Sequence, residues 1–252
     1  MARYQLTLAY DGTDFFGSQR QATKRTVQGE LEKTLRRLGW TGSSILLSGR
    51  TDTGVHATGQ VAAFDLDWTH PAEELQRALN ASLPSDLAVW QVRQGDDKFH
   101  PRFDAITRSY RYQLFCHPIR DPMAERFAWR VWPIIDGEVL RQAASAFVGT
   151  HDFRAVGSPT SSKGTTVRTI TSVNWQQTAE TQWTFDVQAD AFLYRMVRRM
   201  VFVQIATAQH RAEVETITEA LQDPAQGKRL PAGLAPAHGL TLVAVGYQES
   251  NG

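Results

Sequence analysis

Between Tyr4 and Val92 the spacing of apolar residues switches repeatedly between a period of two and a period of 3.6, which restricts the folds open to the chain. Tyr4 to Tyr10 alternates, with Leu6, Leu8 and Tyr10 on one side, as a half-buried strand does. Asp11-Gly12-Thr13 is a turn, and the polar segment Ser18-Gln19-Arg20-Gln21 follows it. A helix opens near Thr26, carries the stripe Val27, Leu31, Leu35 and Leu38, and stops at Gly39. Ile45 to Leu47 reads as a short buried strand and Gln60 to Leu66 as a longer one. Pro71 suits a first helical position, with Leu75, Ala78, Leu79 and Ser82 on one face behind it. Leu83-Pro84-Ser85 ends that helix, and Leu87 to Val92 alternates again. The order β-α-β-β-α-β is the split βαβ, or ferredoxin-like, arrangement. It fits in roughly a hundred residues, a normal domain size.

The second half repeats the theme with additions. Ser109 to Phe115 puts Tyr110, Tyr112 and Leu114 on one face, and Phe127 to Trp132 reads as a strand. From Asp136, the positions Val139, Leu140, Ala143, Ala144 and Phe147 form a helical stripe. Gly149 to Thr166 is rich in Ser, Thr and Gly and reads as one long loop. Val167 to Trp175 and Trp183 to Ala189 read as strands, Phe192 to about Thr207 and Glu213 to Leu221 as helices, and Leu240 to Tyr247 as a closing strand. The expected fold class is therefore α+β, with two tandem halves: residues 1–105 and residues 106–252.

Bulk properties narrow the function. The 252 residues are 42% hydrophobic and 21% charged, as in soluble globular proteins, and no apolar run is long enough to span a bilayer. Met1-Ala2-Arg3-Tyr4 leads straight into a strand pattern without the apolar core of a signal peptide. A single cysteine, Cys116, cannot form an internal disulfide and rules out cysteine-rich zinc sites. A cytoplasmic protein without membrane contact is expected. The net charge of +1 gives no global argument for nucleic acid, so local clusters must decide.

The stretch Ser48-Gly49-Arg50-Thr51-Asp52-Thr53-Gly54-Val55-His56-Ala57 lies between two strands, where scaffolds tend to present chemistry. Its bland reading is a polar connection with an exposed Arg50–Asp52 pair worth little. Its functional reading makes Asp52 a nucleophile or base. Other chemistries lack support. The histidines are scattered, and His151-Asp152 is better read as a turn than as a ligand pair, so no metal is expected. Val55-His56 stands where a Walker loop needs Lys-Ser/Thr, so no nucleotide cofactor is expected either. Arg102, Arg108 and Arg111 stand beside Phe103, Tyr110 and Tyr112, and a mostly apolar helix carries Arg195, Arg198 and Arg199, the first and last on one face. Arginine interleaved with aromatics suits nucleic acid, and arginines on a buried helix need partners.

Taken together, these residues resemble the TruA family of tRNA pseudouridine synthases. Gly49 to Ala57, followed by Gln60-Val61, is similar to the family's catalytic loop. Tyr10-Asp11-Gly12-Thr13, Thr26 to Leu31, Leu79-Asn80 with Leu83-Pro84, Phe99-His100-Pro101-Arg102 and Arg108 to Tyr112 are similar to further family segments. So are Gly149 to Phe153, Thr166-Val167-Arg168, Phe192 to Arg198 and Ala235 to Leu240.

The resemblance implies two ferredoxin-like (RRM-like) halves whose antiparallel sheets join across a central basic cleft. It implies a homodimer that needs no cofactor and isomerises uridine to pseudouridine at positions 38–40 of the tRNA anticodon stem-loop. Asp52 matches the catalytic aspartate, Tyr110 the tyrosine that stacks on the target base, and Arg198 the arginine that pairs with the aspartate. Whether the carboxylate attacks sugar, attacks base or removes a ribose proton stays open. Arg50 matches the arginine that helps open the stem, and Thr51, His56, Arg102 and Arg195 are expected to bind RNA with it. One departure is Phe202, where the family usually has glycine, so different helix packing is expected there. The alternatives are a non-catalytic RNA-binding protein and a small-molecule α+β enzyme. The first lacks the aromatic RNP1 pattern, and the second predicts no salt-sensitive RNA binding.

Overall fold

The computed structural model describes residues 1–159 and 164–248. In chain order the elements are β1 (Ala2–Tyr10), α1 (Val27–Arg37), β2 (Leu46–Leu47), β3 (His56–Leu66), α2 (Ala72–Ser82) and β4 (Leu87–Gln94). Then come β5 (Ala105–Cys116), β6 (Trp129–Val131), α3 (Gly137–Ser145), β7 (Gly149–Asp152), β8 (Val167–Gln177) and β9 (Gln182–Ala189). Last are α4 (Met196–Ala208), α5 (Val214–Gln222) and β10 (Leu240–Tyr247), with short 3₁₀ turns between elements. The fold is mixed α+β and divides into two units. One is Met1–Ile106 with the chain from Thr241, and the other is Thr107–Leu240. The closing strand was expected in the second half, but its residues from Thr241 group with the first unit because Thr241 and Leu242 pair in parallel with His56 and Ala57 of β3.

In the first unit the strands lie in the order β4-β1-β3, with β2 also on β3. These pairings are antiparallel, with Leu6 opposite Ala62 and Leu46 opposite Ala63. Strand β3 is buried along nearly its whole length rather than alternately, because it is central and has β1 on one side and β10 and β2 on the other. The helices form for local reasons that hold in the fold. The Thr26 hydroxyl accepts the Gly29 N–H at 3.2 Å, a cap worth about 1 kcal/mol. Val27, Leu31 and Leu35 of α1 and Leu75 and Leu79 of α2 are fully buried with Leu6 and Leu8 of β1. Pro71 proves to be the cap of α2 rather than its first helical residue.

In the second unit the order is β5-β9-β8-β7, all antiparallel, with β6 added in parallel to β5. The sheets are thus not purely antiparallel, since β3–β10 and β5–β6 run parallel. The expected loop Gly149 to Thr166 is also revised. Its start is β7, paired to β8, and Phe153–Ala155 is a 3₁₀ turn. Residues 160–163 of that segment lie outside the described residues. His151-Asp152, expected as a turn, instead ends strand β7 opposite Arg168 and Val167; the Asp152 carboxylate accepts the Arg154 N–H at 3.0 Å, and the His151 ring bonds the Val148 carbonyl at 2.9 Å.

Helix α4 begins at Met196, not near Phe192. Arg195 is its cap, in the left-handed conformation with φ 62°, so Arg195 and Arg199 do not share a helical face. The helix is buried nearly all round, and the Trp175 indole donates to Gln204 at 2.6 Å inside it. Phe202 packs its ring parallel to Trp129 at 6.2 Å and fills the space at Gly233. A Cβ on that glycine, whose φ is +147°, would lie 2.1 Å from the ring. Gly233 therefore makes room for Phe202.

Candidate active site loop

The loop from Ser48 to Val55 is built from both ends and from beneath. Strand β3 begins at His56, so the last two residues of the expected loop are already paired in the sheet. At the tip, the Val55 N–H bonds the Asp52 carbonyl at 3.1 Å, closing a turn with Asp52 first and Gly54 third. Gly54 has φ +78°, a backbone that L side chains rarely adopt, which is why glycine stands there. Asp52 is half-buried and Thr53 is exposed at the tip.

The segment from Asp11 to Ser18 wraps the loop at main-chain distance. Gly12 lies against Val55 so closely that a Cβ would fall 2.0 Å from the Val55 carbonyl oxygen. Gly17, at φ +83°, brings the chain against Thr51, whose carbonyl accepts the Ser18 N–H at 3.1 Å. In return, the Thr51 N–H donates to the Ser18 hydroxyl at 2.9 Å. Phe15, buried beneath, accepts the Gly54 N–H on its carbonyl at 3.4 Å. Arg25 lies over the Phe15 ring at 4.1 Å and grips Asp86 with two bonds of 2.7 and 2.8 Å. That pair holds the Arg25 guanidinium above its ordinary range, burial opposing it.

A buried polar network completes the support. Gln60 of β3 is fully buried; it accepts the Ser48 hydroxyl at 2.6 Å and donates to the Gly49 carbonyl at 3.1 Å. Tyr10 of β1 shares a 2.8 Å bond with the Thr51 hydroxyl. Burial pushes the Tyr10 phenol up to about 12, against the opposite pull of its bonds to Thr51 and Gln60. It therefore stays neutral at physiological pH and serves as a strut, not as a base.

Two residues expected to meet RNA are held inside. Thr51 is 6% exposed and its hydroxyl is committed to Tyr10. His56 is 4% exposed, and its Nδ1 accepts the Gly12 N–H at 2.9 Å. The Asp11 carboxylate also lies 3.2 Å from Nδ1. Both side chains fix the loop. Arg50 is exposed, as is Arg102 on the turn after His100.

In the second unit Tyr110 is half-buried on β5, with its ring edge-on to Phe192 at 5.1 Å. The Arg198 Nε donates to the Ala235 carbonyl at 2.8 Å. Arg199 donates to the carbonyls of Pro231 and Gly233, and burial lowers its guanidinium from the ordinary value. The buried face of α4 thus draws on loop carbonyls for its arginines. Arg195 projects over the Tyr194 ring at 4.7 Å. Arg111, grouped above with Arg102 and Arg108, is largely neutralised by Asp186 directly across the sheet, at 2.8 and 3.1 Å. Among the described residues, no group of three or more His, Cys, Asp or Glu could hold a metal ion, and no helix is long and apolar enough to cross a membrane.

Comparison with known proteins supplies the chemical context. A family model described as tRNA pseudouridine synthase matches residues 7–104 and 143–248. The chain is 40% identical over 253 residues to tRNA pseudouridine synthase A of Chloroflexus aurantiacus, covering 98% of this chain and 89% of that protein. It is 38% identical to tRNA pseudouridine synthase A of Limosilactobacillus fermentum, covering 99% and 97%. Against the tRNA pseudouridine synthase A of a Geobacter species it is 36% identical, covering 99% and 100%.

Proposed function

The chain belongs to the TruA family of tRNA pseudouridine synthases, isomerases that act on tRNA, and from that premise we propose that it converts uridine to pseudouridine at positions 38–40 of the anticodon stem-loop, with Asp52 as the catalytic carboxylate. The observation that carries this reading is the support around Asp52. A half-buried carboxylate heads a glycine turn whose every flank is fixed by main-chain contact or buried hydrogen bonds. A loop that merely connected two strands would need none of this, and a reacting group needs all of it, since misplacement by about 1 Å costs roughly a hundredfold in rate.

The reaction breaks the glycosidic C1′–N1 bond, turns the uracil and forms a C1′–C5 bond; N1 ends with a proton and C5 gives one up to solvent. Asp52 acts on the nucleoside to let the uracil detach, by attack on sugar or base or by removal of a ribose proton. Tyr110, exposed enough to meet a ring, stacks on the target base, and Arg198 acts as the carboxylate's partner. Arg50 holds the flipped nucleotide, with Arg102 and Arg195 on the RNA backbone. Extruding a paired base costs a few kcal/mol, which those cationic contacts offset. The strand order β4-β1-β3-β2 of the first unit supports reading it as a ferredoxin-like half, and we extend that reading to the second unit. A homodimer without cofactor, working in the cytoplasm, completes the proposal.

Tritium release from C5-labelled uridine in tRNA is the test. Wild-type protein should release tritium, and Asp52→Asn should release none while still shifting tRNA in a gel. An Asn variant with wild-type release would overturn the assignment.

A further inference from the structure

A cavity of about 310 Å³ opens within the first unit, at the foot of the Asp52 loop. Its walls come from five places: Gln19-Arg20, Gln28 of α1, the residues around β2, Gly49-Arg50, and the turn from His100 to Phe103. Three features of this lining point to one class of ligand.

The first is an exposed aromatic. Phe103 is 77% exposed, an unusual state for a phenylalanine, yet its ring is not loose. It stacks on the His100 ring at 4.2 Å with a tilt of 31°. The turn beneath is rigid: His100 Nδ1 accepts the N–H groups of Arg102 and Phe103 at 3.2 and 3.3 Å, and Asp104 accepts the His100 N–H at 2.8 Å. The Tyr247 hydroxyl of β10 holds the Pro101 carbonyl at 2.8 Å.

The second is charge. Arg20 is spent on Glu32 at 2.6 Å and on the Ser43 carbonyl at 3.0 Å, so it shapes the wall. Arg50 and Arg102 are exposed cations at the rim. The third is size. The cavity stands at the lower end of the range for small-molecule pockets, roughly 300–1,000 Å³. It admits a single flat group and not a duplex. A preformed aromatic face between guanidinium groups is the arrangement that holds unpaired nucleotides.

We propose that this cavity is a second RNA subsite, which takes one unpaired nucleotide of the substrate with its base stacked on Phe103 and its phosphate between Arg50 and Arg102. The inference rests on the proposed function for the identity of the RNA. The base seated here is not the one that reacts. It is a neighbour in the loop, and its capture locates the RNA against Gly49-Arg50, two residues from Asp52. Gln19, exposed at the mouth, supplies an amide donor and acceptor for its edge.

The experiment uses full-length protein and anticodon stem-loop RNAs carrying 2-aminopurine at one loop position at a time. One position should be quenched by stacking when wild-type protein binds. Phe103→Ala should restore its fluorescence and weaken binding roughly tenfold, within the range that base–aromatic stacks show on truncation. Phe103→Trp should keep both quenching and affinity. Phe103 lies on the surface, so its loss leaves the core intact. If no loop position responds to Phe103→Ala and affinity stays within twofold, the subsite is wrong. Tritium release measured in parallel reads the parent proposal separately. Wild-type release with an unresponsive Phe103→Ala overturns the subsite alone, and absence of wild-type release overturns the function alone, because fluorescence needs no turnover.

Discussion

Replacing Gln60 by methionine would separate the support of the loop from its chemistry. Methionine keeps the length and approximate volume of the side chain and removes both polar atoms. In the native protein the Gln60 amide satisfies two buried groups, the Ser48 hydroxyl at 2.6 Å and the Val61 N–H at 3.1 Å, and it also holds the half-buried Gly49 carbonyl at 3.1 Å. Its contact with the Tyr10 hydroxyl, at 3.5 Å, adds little. Leaving a buried polar group unsatisfied costs about 1–3 kcal/mol, so two of them cost about 2–6 kcal/mol. For domains of this size each kcal/mol lowers the melting temperature by roughly 2–4 °C, and calorimetry should find a fall of roughly 4–24 °C. The kinetic effect should be selective. Gly49 and Arg50 lose their fixed position, and Asp52 moves with them, so single-turnover tritium release at saturating enzyme should slow by about a hundredfold. The tRNA dissociation constant should change far less, because Arg50 keeps its charge and Arg102 and Arg195 are untouched. A variant that melts lower yet reacts within threefold of wild type would refute the positioning role. A variant with an unchanged melting temperature would refute the burial argument itself.

Gly12→Ala drives a methyl to 2.0 Å from the Val55 carbonyl and should cost about 3 kcal/mol of stability and most of the activity, read by melting and by tritium release. Burial pushes the Cys116 thiol up, the Ile135 backbone pulling the other way, and the residue is 6% exposed. Ellman's reagent at pH 8 should therefore react with native protein at least about a hundredfold more slowly than with urea-unfolded protein. The His238 imidazole is lowered from its ordinary value, first by burial, with Glu125 and the Ala128 backbone opposing and Arg198 reinforcing. A depressed folded value means that the unfolded chain binds the proton more readily. The stability tied to His238 is therefore complete above about pH 6.5 and declines as pH falls below it. Urea midpoints between pH 7.5 and 5 should decline less in His238→Gln than in wild type.

The regular elements were legible because their signals are local. The stripe of α1, its Thr26 cap and the stop at Gly39 all survive in the fold, and so does the alternation of β1. What escaped depends on partners distant in sequence. Arg195 sits where a helical pattern continues through it, yet the chain turns left-handed there, and no spacing rule registers that. Thr51 and His56 belong to a polar motif and were expected at a surface; the chain around Tyr10, Gly12 and Ser18 folds over them and turns them inward. Gln60 gave the one available hint, a polar residue in a strand buried on both faces. Arg111 counted as a free cation until its antiparallel register set Asp186 opposite. Phe103 was singled out among the aromatics beside the arginines, but its exposure was not legible, because exposure is a property of the fold and not of the residue.

Strand β10 has a further consequence for how the protein comes into being. The frame of the Asp52 loop is finished by residues at the opposite end of the chain: Thr241 and Leu242 pair beside His56 and Ala57, and a Cβ on Gly59 would collide with the Val243 backbone. Such distant pairings form late, after the intervening chain has been ordered. During synthesis the first hundred residues leave the ribosome long before this strand exists. The proposed activity is therefore the last property the polypeptide acquires. A fragment released early carries the whole Asp52 loop in sequence and lacks the strand that holds it in shape, so an interrupted translation product should lack the proposed activity.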